Sequence, residues 1–172
     1  MMKITRKATN LLMIINIHQI VTGVICFILL VHATIENMLG DKNMVFELTY
    51  LFLTALSVLL VYLNLYLIVK KEKSVIFISI VAWFNFSQIF YISIMGFTYY
   101  LLFGSMIMPF FNYSDGISFG LHLNLFVGQL GLKWKYDDKI IFGINLIPLT
   151  IFILLSWIQK EVIIENYVSQ IE

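Results

Sequence analysis

The sequence predicts an all-α membrane protein, a four-transmembrane-helix bundle with a small extracytoplasmic β-hairpin between spans three and four. Of its 172 residues, 60% are hydrophobic and only 12% are charged, whereas soluble domains are about half apolar and about a quarter charged. Several segments of about 20 residues carry no charge on any face, as helices that cross a bilayer require. The whole chain is therefore expected to form one polytopic membrane domain in contact with the lipid bilayer.

The first two predicted spans are clearly delimited by charged residues. Residues 11–31 follow a basic start and contain no charged side chain, and residues 48–69 form a second uncharged run that ends at a basic turn, 70–73. A cleaved signal peptide is the alternative for residues 1–33. The apolar core of a signal peptide is only about 7 to 15 residues long, so a membrane span is favoured.

The uncharged stretch 74–111 is too long for a single span, since as one helix it would measure about 57 Å. Gly96 is a suitable helix breaker, so span three is placed at 74–97. The aromatic-rich residues 98–111 are then expected at the membrane interface. A fifth crossing through 98–111 is the alternative, although a helix of these residues would reach only about 21 Å.

Residues 117–136 change to a period of two, which indicates β-strands. Apolar residues occupy odd positions up to Val127 and even positions from Leu130. This change of parity predicts a β-hairpin that turns near residues 126–129. Because open sheet edges are unstable in lipid, the hairpin is expected outside the hydrocarbon core or against protein.

The last predicted span covers residues 140–158, and residues 159–172 are expected to form an amphipathic helical tail. With four spans, seven of the 11 Lys and Arg residues lie on the side of both termini. The positive-inside rule then places the N- and C-termini in the cytoplasm. The composition, rich in Ile, Asn, Lys, Phe and Tyr, indicates an AT-rich bacterial genome, so a bacterial inner membrane is expected.

Several classes of function are disfavoured by what the sequence lacks. The formal net charge of +1 gives no basic surface for nucleic acid. Cys26 is the only cysteine, so an intramolecular disulfide and a cysteine zinc site are excluded. The sequence contains no familiar catalytic or nucleotide-binding motif, resembles no family, and gives no reason to expect a cofactor.

Polar side chains inside the predicted spans are the candidate ligand-binding or pore-lining residues. His18 is the only His, Asp, Glu, Lys or Arg residue within a predicted span, and Asn145 is a further polar residue on span four. The alternative is that these groups join helices through hydrogen bonds, each worth about 0.6 to 2 kcal/mol in lipid. The candidates are His18, Asn16, Gln19, Asn64, Asn85 and Gln88.

His32 and Glu36 form a weak candidate for a metal site. They lie four residues apart, and so on one face if the first helix continues. Two ligands do not make a metal site, so a solvated pair is the favoured interpretation.

The leading functional hypothesis is a non-enzymatic membrane subunit or accessory protein. It would engage partners or itself, as a homo-oligomer or with another membrane protein, through polar helix faces and the exposed hairpin. The alternative is a small oligomeric channel or carrier lined by the intramembrane amides. A third hypothesis is an intramembrane enzyme centred on His18.

Overall fold

The computed structural model describes residues 6–39, 44–70, 74–95, 97–113, 116–134 and 140–168. Within these ranges the chain forms four helices and four strands. In chain order they are α1 (Arg6–Leu39), α2 (Met44–Lys70), α3 (Val75–Ser87), β1 (Phe90–Ile94), β2 (Phe97–Tyr113), β3 (Ile117–Trp134), β4 (Ile140–Ile144) and α4 (Leu146–Val168). The predicted all-α bundle is therefore wrong, because an antiparallel sheet separates α3 from α4.

Three helices in the described ranges are long and apolar enough to cross a membrane, namely Lys7–Glu36, Leu48–Val69 and Leu146–Ile164. The helix α3 has 13 residues and reaches only about 20 Å, less than the hydrocarbon thickness of about 30 Å. The basic start at 1–5, the basic turn at 71–73 and the end of the predicted tail at 169–172 lie outside the described residues.

The predicted spans 74–97 and 140–158 are both part helix and part strand. The first begins as α3 and continues as β1, whereas the second begins as β4 and continues as α4. The two helices pack together and the two strands pair antiparallel. Both chain segments therefore change between helix and strand at the same level of the molecule. A backbone hydrogen bond of 2.7 Å from the Asn145 N–H to the Ile89 carbonyl joins the paths there. Apolar runs predict burial but do not distinguish strand from helix.

The four strands form a cup-shaped sheet, here called the β-cup. The strand β1 pairs with the start of β2 at 97–100, β4 pairs with the end of β2 at 110–113, and β1 and β4 pair with each other. All three pairings are antiparallel, so the chain direction reverses from each strand to the next and the two ends of β2 run in roughly opposite directions. Strand twist of about 20 to 25° per pair changes this angle only in part. The strand β2 must therefore bend sharply between 100 and 110. Residues 98–111, predicted at the membrane interface, lie within this bent strand.

Gly104 lies at the bend and has a φ of +103°, a conformation that L side chains rarely adopt. A Cβ atom at this position would lie 2.5 Å from Cγ2 of Thr22 on α1. The bend therefore needs glycine both for its backbone angle and for its close approach to α1.

The hairpin turn lies elsewhere than predicted. The strand β3 is continuous through 126–129, and Tyr113 at the end of β2 pairs with Ile117 at the start of β3. The sequence Asp115-Gly116 at this point is a common hairpin turn signal, and Gly116 has a φ of +152°.

The change of parity in β3 comes from a β-bulge. Gly104 pairs with Val127, whereas Met106 pairs with Asn124. Ser105 therefore faces two residues of β3, 125 and 126. The extra residue exchanges the inner and outer positions of the strand without a turn.

The helices pack around two apolar clusters. In the first, Ala8 of α1 and Leu67 of α2 meet Ile78 of α3 and Val162 of α4, so the beginning of α1 and the end of α4 lie at the same end of the molecule. In the second, the later half of α1 and the earlier half of α2 pack on β2. Its buried members are Cys26, Leu30, Leu53, Leu60, Leu101 and Phe103.

Candidate functional site

Three amide side chains join three helices in the interior, and we call Asn64, Gln19 and Asn85 the amide bridge. Gln19 Nε2 donates to Asn85 Oδ1 at 3.0 Å, and Asn64 Nδ2 donates to Gln19 Oε1 at 3.3 Å. None of the three residues is more than 4% exposed. The amide bridge therefore binds α2, α1 and α3 to one another.

The outer members of the amide bridge are also held by their own helices. Asn64 Nδ2 donates to the Leu60 carbonyl at 2.7 Å, and Asn85 Nδ2 donates to the Val81 carbonyl at 2.8 Å. These bonds reach back one helical turn and restrict the rotamers of both side chains. Each amide thus points at Gln19 from a defined position.

Two further amides hold the bend of β2. Between 100 and 110, β2 is paired with neither β1 nor β4, so its backbone N–H groups on that edge need other acceptors. Gln88 Oε1 accepts from the Phe103 N–H at 3.1 Å, and Asn145 Oδ1 accepts from the Ile107 N–H at 3.3 Å. Gln88 and Asn145 therefore replace the missing strand on both sides of Gly104.

A small cavity lies between the amide bridge, the bend of β2 and the start of α4. Its volume of about 20 Å³ accommodates about one water molecule. The Nδ1 atom of His18 is buried and has no hydrogen-bond partner within the described ranges. The polar residues of the cavity wall are His18, Gln19, Thr22, Asn85, Gln88 and Ser105.

The structure brings most of the candidate residues together. His18, Gln19, Asn85 and Gln88 line the cavity, and Asn64 reaches this group through Gln19. Asn16 is 2% exposed and its Oδ1 has no partner in the described part of the chain, but it does not line the cavity.

The weak metal candidates lie away from this site. His32 Nδ1 and Glu36 Oε2 are 3.5 Å apart, and both side chains are 71% exposed. Such exposed pairs contribute little to stability. Across the described ranges, no group of three His, Cys, Asp or Glu residues is placed to hold a metal ion.

Thr22 and Ser105 were not among the candidates, because their place in the cavity depends on the bend of β2. Asn145 was expected only as a further polar residue on span four, whereas it binds a strand. The sequence could have indicated this role only through the position of Asn145 between β4 and α4. A side chain at that junction can bind the backbone of a neighbouring strand.

The two faces of the β-cup differ in composition, because the inner face combines polar and aromatic groups with a buried apolar cluster of Leu102, Met106, Met108 and Val127. On the inner face, the rings of Tyr91 and Tyr100 stack at 5.2 Å, and Phe110 stacks on His122 at 4.5 Å. The outer face of the sheet carries apolar residues of β2 and β3, and we call them the outer apolar face. They are Ile107, Pro109 and Phe111 of β2, the β3 residues Ile117, Phe119, Leu121 and Leu123 that share their register, and Leu125, two residues further along β3.

Comparisons with known proteins give no family for this chain. No protein-family model, no curated protein and no solved structure matches it. The contacts described above are therefore the whole basis for a functional proposal.

Proposed function

We propose that this chain is a non-enzymatic integral membrane protein that associates with a second copy of itself through the free edge of β3. The observation that carries this proposal is the strand order β1-β4-β2-β3, which leaves β3, of 18 residues, at the end of the sheet in the described ranges. An exposed strand edge offers N–H and C=O groups to a strand of another chain.

The hydrogen bonding of β2 shows which groups of β3 point outward. The Ile107 N–H is bound by Asn145 and so points away from β3. In an antiparallel ladder, both residues of such a pair direct their backbone groups away from each other. Leu123, the partner of Ile107, therefore directs its N–H to the free edge, and so does Leu121, two residues earlier.

Pro109 fits the same alternation. It is the partner of Leu121, in a pair that makes no backbone hydrogen bonds between β2 and β3. Its missing N–H therefore costs the β2–β3 ladder nothing. The backbone groups of Leu121 remain available at the free edge.

A second copy is a suitable partner because two β3 strands can pair antiparallel about a twofold axis. Each chain then gives and receives the same contacts. No charged residue of β3 precedes Lys133, so two copies of its first half carry no charge repulsion.

The proposal includes a membrane orientation. Lys7 and Lys160 are exposed at the end of the molecule where α1 begins and α4 ends. The positive-inside rule favours the cytoplasm for this end, and we propose a bacterial inner membrane. The β-cup then lies toward the other side.

The geometry gives less support to the other two hypotheses. Gln19, Asn64 and Asn85 bind one another, and the cavity has room for about one water molecule, so a solute path through one chain would require the amide bridge to open. An enzyme centred on His18 would need a second acid–base group, and the described wall of the cavity contains no carboxylate.

Substitution of Leu121 tests the proposal. Leu121→Pro removes a free-edge N–H, whereas Leu121→Ala shortens the same side chain and keeps the N–H. Single-molecule photobleaching in liposomes is expected to show dimers for the wild type and Leu121→Ala, and monomers for Leu121→Pro. Circular dichroism checks that the strands remain.

His122→Pro is the matched control for folding. Its N–H points toward β2, so this proline should damage the β-cup itself. A monomeric wild type at all protein-to-lipid ratios, or undiminished dimers of Leu121→Pro, would refute the proposal. Pairing with a different membrane protein while the wild type stays monomeric would refute the choice of a second copy.

A further inference from the structure

The outer apolar face is exposed to a degree that is unusual for a surface in water. Phe119 is 79% exposed, Leu125 is 77% exposed and Leu123 is 67% exposed. Neighbouring residues of the same face lie on β2 and are also apolar. Contiguous apolar patches of this kind mark contact with a partner or with lipid.

A band of phenylalanine side chains continues the outer apolar face onto α3 and α4. It crosses the β-cup from β3 through β2, β4 and β1. Ring centroids are 5.4 Å apart for Phe119 and Phe111, 6.4 Å for Phe142 and Phe90, 5.9 Å for Phe90 and Phe86, and 5.2 Å for Phe86 and Phe152. Phe111 and Phe142 are Cα partners, so sheet and helices share one continuous apolar surface.

The bend of β2 packs against the middle of α1, the first helix that can cross the membrane. Gly104 packs against Thr22, and Cys26 Sγ donates to the Val127 carbonyl at 3.3 Å. Thr22 is about 22 Å along the helix from Lys7 and about 21 Å from Glu36, the two ends of this span. A bilayer that surrounds α1 therefore also reaches the β-cup.

The inner face of the β-cup carries polar side chains beside a buried apolar cluster of Leu102, Met106, Met108 and Val127. Ser93 and Thr98 hydrogen-bond to each other at 2.9 Å, and His122 and Asn112 also face inward by register. Strands that cross membranes alternate apolar residues outside with polar residues inside. Residues 117–125 of β3 follow this pattern.

We infer that the β-cup is immersed in one leaflet of the bilayer, with the outer apolar face in contact with lipid acyl chains. The bend of β2 reaches about mid-depth, where Gln88 and Asn145 satisfy its backbone. This agrees with the rule that non-helical backbone at membrane depth must be covered by protein. The free edge of β3 meets the same rule only when it pairs with a strand of a second copy, so the inference rests on the proposed function.

A cysteine scan of residues 117–125 tests the inference in reconstituted protein. Cys26→Ala removes the native thiol, and each single-cysteine variant is labelled with bimane, because the three native tryptophans would obscure an introduced one. Nitroxide on the lipid acyl chains should quench the odd-numbered positions severalfold more than the even-numbered ones. Aqueous iodide should give the reverse pattern.

Leu130 provides a control beyond the bulge. It packs against the helices in the second apolar cluster, so a label there should be shielded from both quenchers. The odd-numbered side chains are exposed, so their replacement should leave the fold intact, as circular dichroism can verify.

Two outcomes would overturn the inference. If iodide quenches odd-numbered and even-numbered positions alike, the β-cup lies in water. If both quenchers fail at the odd-numbered positions, protein rather than lipid covers the outer apolar face. The dimer measurement is separate, so dimers without the period-two lipid pattern would refute only the immersion of the β-cup, whereas a monomeric protein would refute the proposed self-association.

Discussion

At the scale of single residues, amide side chains fix the relative positions of helices and strands through directional hydrogen bonds, which apolar contacts alone do not provide. The sequence placed Asn64, Gln19 and Asn85 inside apolar runs, and burial of each follows from that placement. Their partners depend on how each helix is rotated about its axis, which uniformly apolar helices do not reveal. The sequence alone therefore does not predict which of these amides bind each other.

Asn85→Leu is expected to lower the free energy of unfolding by about 1 to 2 kcal/mol, because it leaves buried groups of Gln19 unpaired. Unfolding in mixed micelles measures this change. Thr150→Ala is the control, since Thr150 is exposed and its hydroxyl bonds only to its own helix. Equal stability of Asn85→Leu and the wild type would contradict a structural role for the amide bridge.

Gly104→Ala is expected to destabilise the protein by at least about 2 kcal/mol, since strained backbone and overpacking add together. Gly116→Ala separates the two effects, because a Cβ there meets no atom within 4 Å; strain alone should cost about 1 kcal/mol. Thr22→Ser in the Gly104→Ala background should recover part of the loss by removing the methyl group. Thermal unfolding compares the four proteins, and equal losses at both glycines would contradict the close packing on α1.

At the scale of elements, the sequence predicted α1 and α2 closely and the region between α3 and α4 poorly. Long uncharged runs specify a membrane helix when nothing else competes. In the stretch 74–111 the same composition serves a helix and two strands, because a strand buried on both faces is also a continuous apolar run. Asp115-Gly116 was the local signal that would have located the hairpin.

The β-bulge in β3 explains why the period-two pattern of residues 117–136 predicts two strands where the structure has one. A turn and a bulge both change which parity is apolar. Residues 126–129 do not contain an Asn-Gly or Asp-Gly pair, which favours the bulge. The absence of turn residues at 126–129 could therefore have indicated that β3 is a single strand.

Gln88→Leu is expected to increase hydrogen exchange at the Phe103 amide and to destabilise the protein by about 1 to 3 kcal/mol, since the bend loses an acceptor. Hydrogen exchange in detergent micelles reports on this amide directly. Gln129→Leu is the matched control, because Gln129 is an exposed amide on β3. Unchanged protection of Phe103 would show that Gln88 is dispensable to the bend.

At the scale of the whole molecule, the two described chain ends lie together. The clustering of Ala8 with Val162 means that the path through the helices and the β-cup returns to the side where it began. Four crossings remain a prediction, and the third and fourth predicted spans are each part helix and part strand.

Reporter fusions are expected to place both termini in the cytoplasm. Fluorescent protein fused after Glu172 should fold and fluoresce, whereas alkaline phosphatase at the same point should stay inactive. The same pair of reporters before residue 1 provides the matched measurement. Opposite results at the two ends would contradict the packing of α1 against α4.

The acceptors at the bend of β2 also impose an order on biosynthesis. Gln88 leaves the ribosome before β2, but Asn145 follows Ile107 by 38 residues, a delay of about 2 to 8 s at usual rates of translation. Until then the bend has only one of its two acceptors, and β1 lacks β4. The β-cup therefore cannot close before Asn145 and β4 are made, when α1, α2 and α3 are already synthesised, and a pause between residues 107 and 145 would prolong the exposure of its unpaired strands.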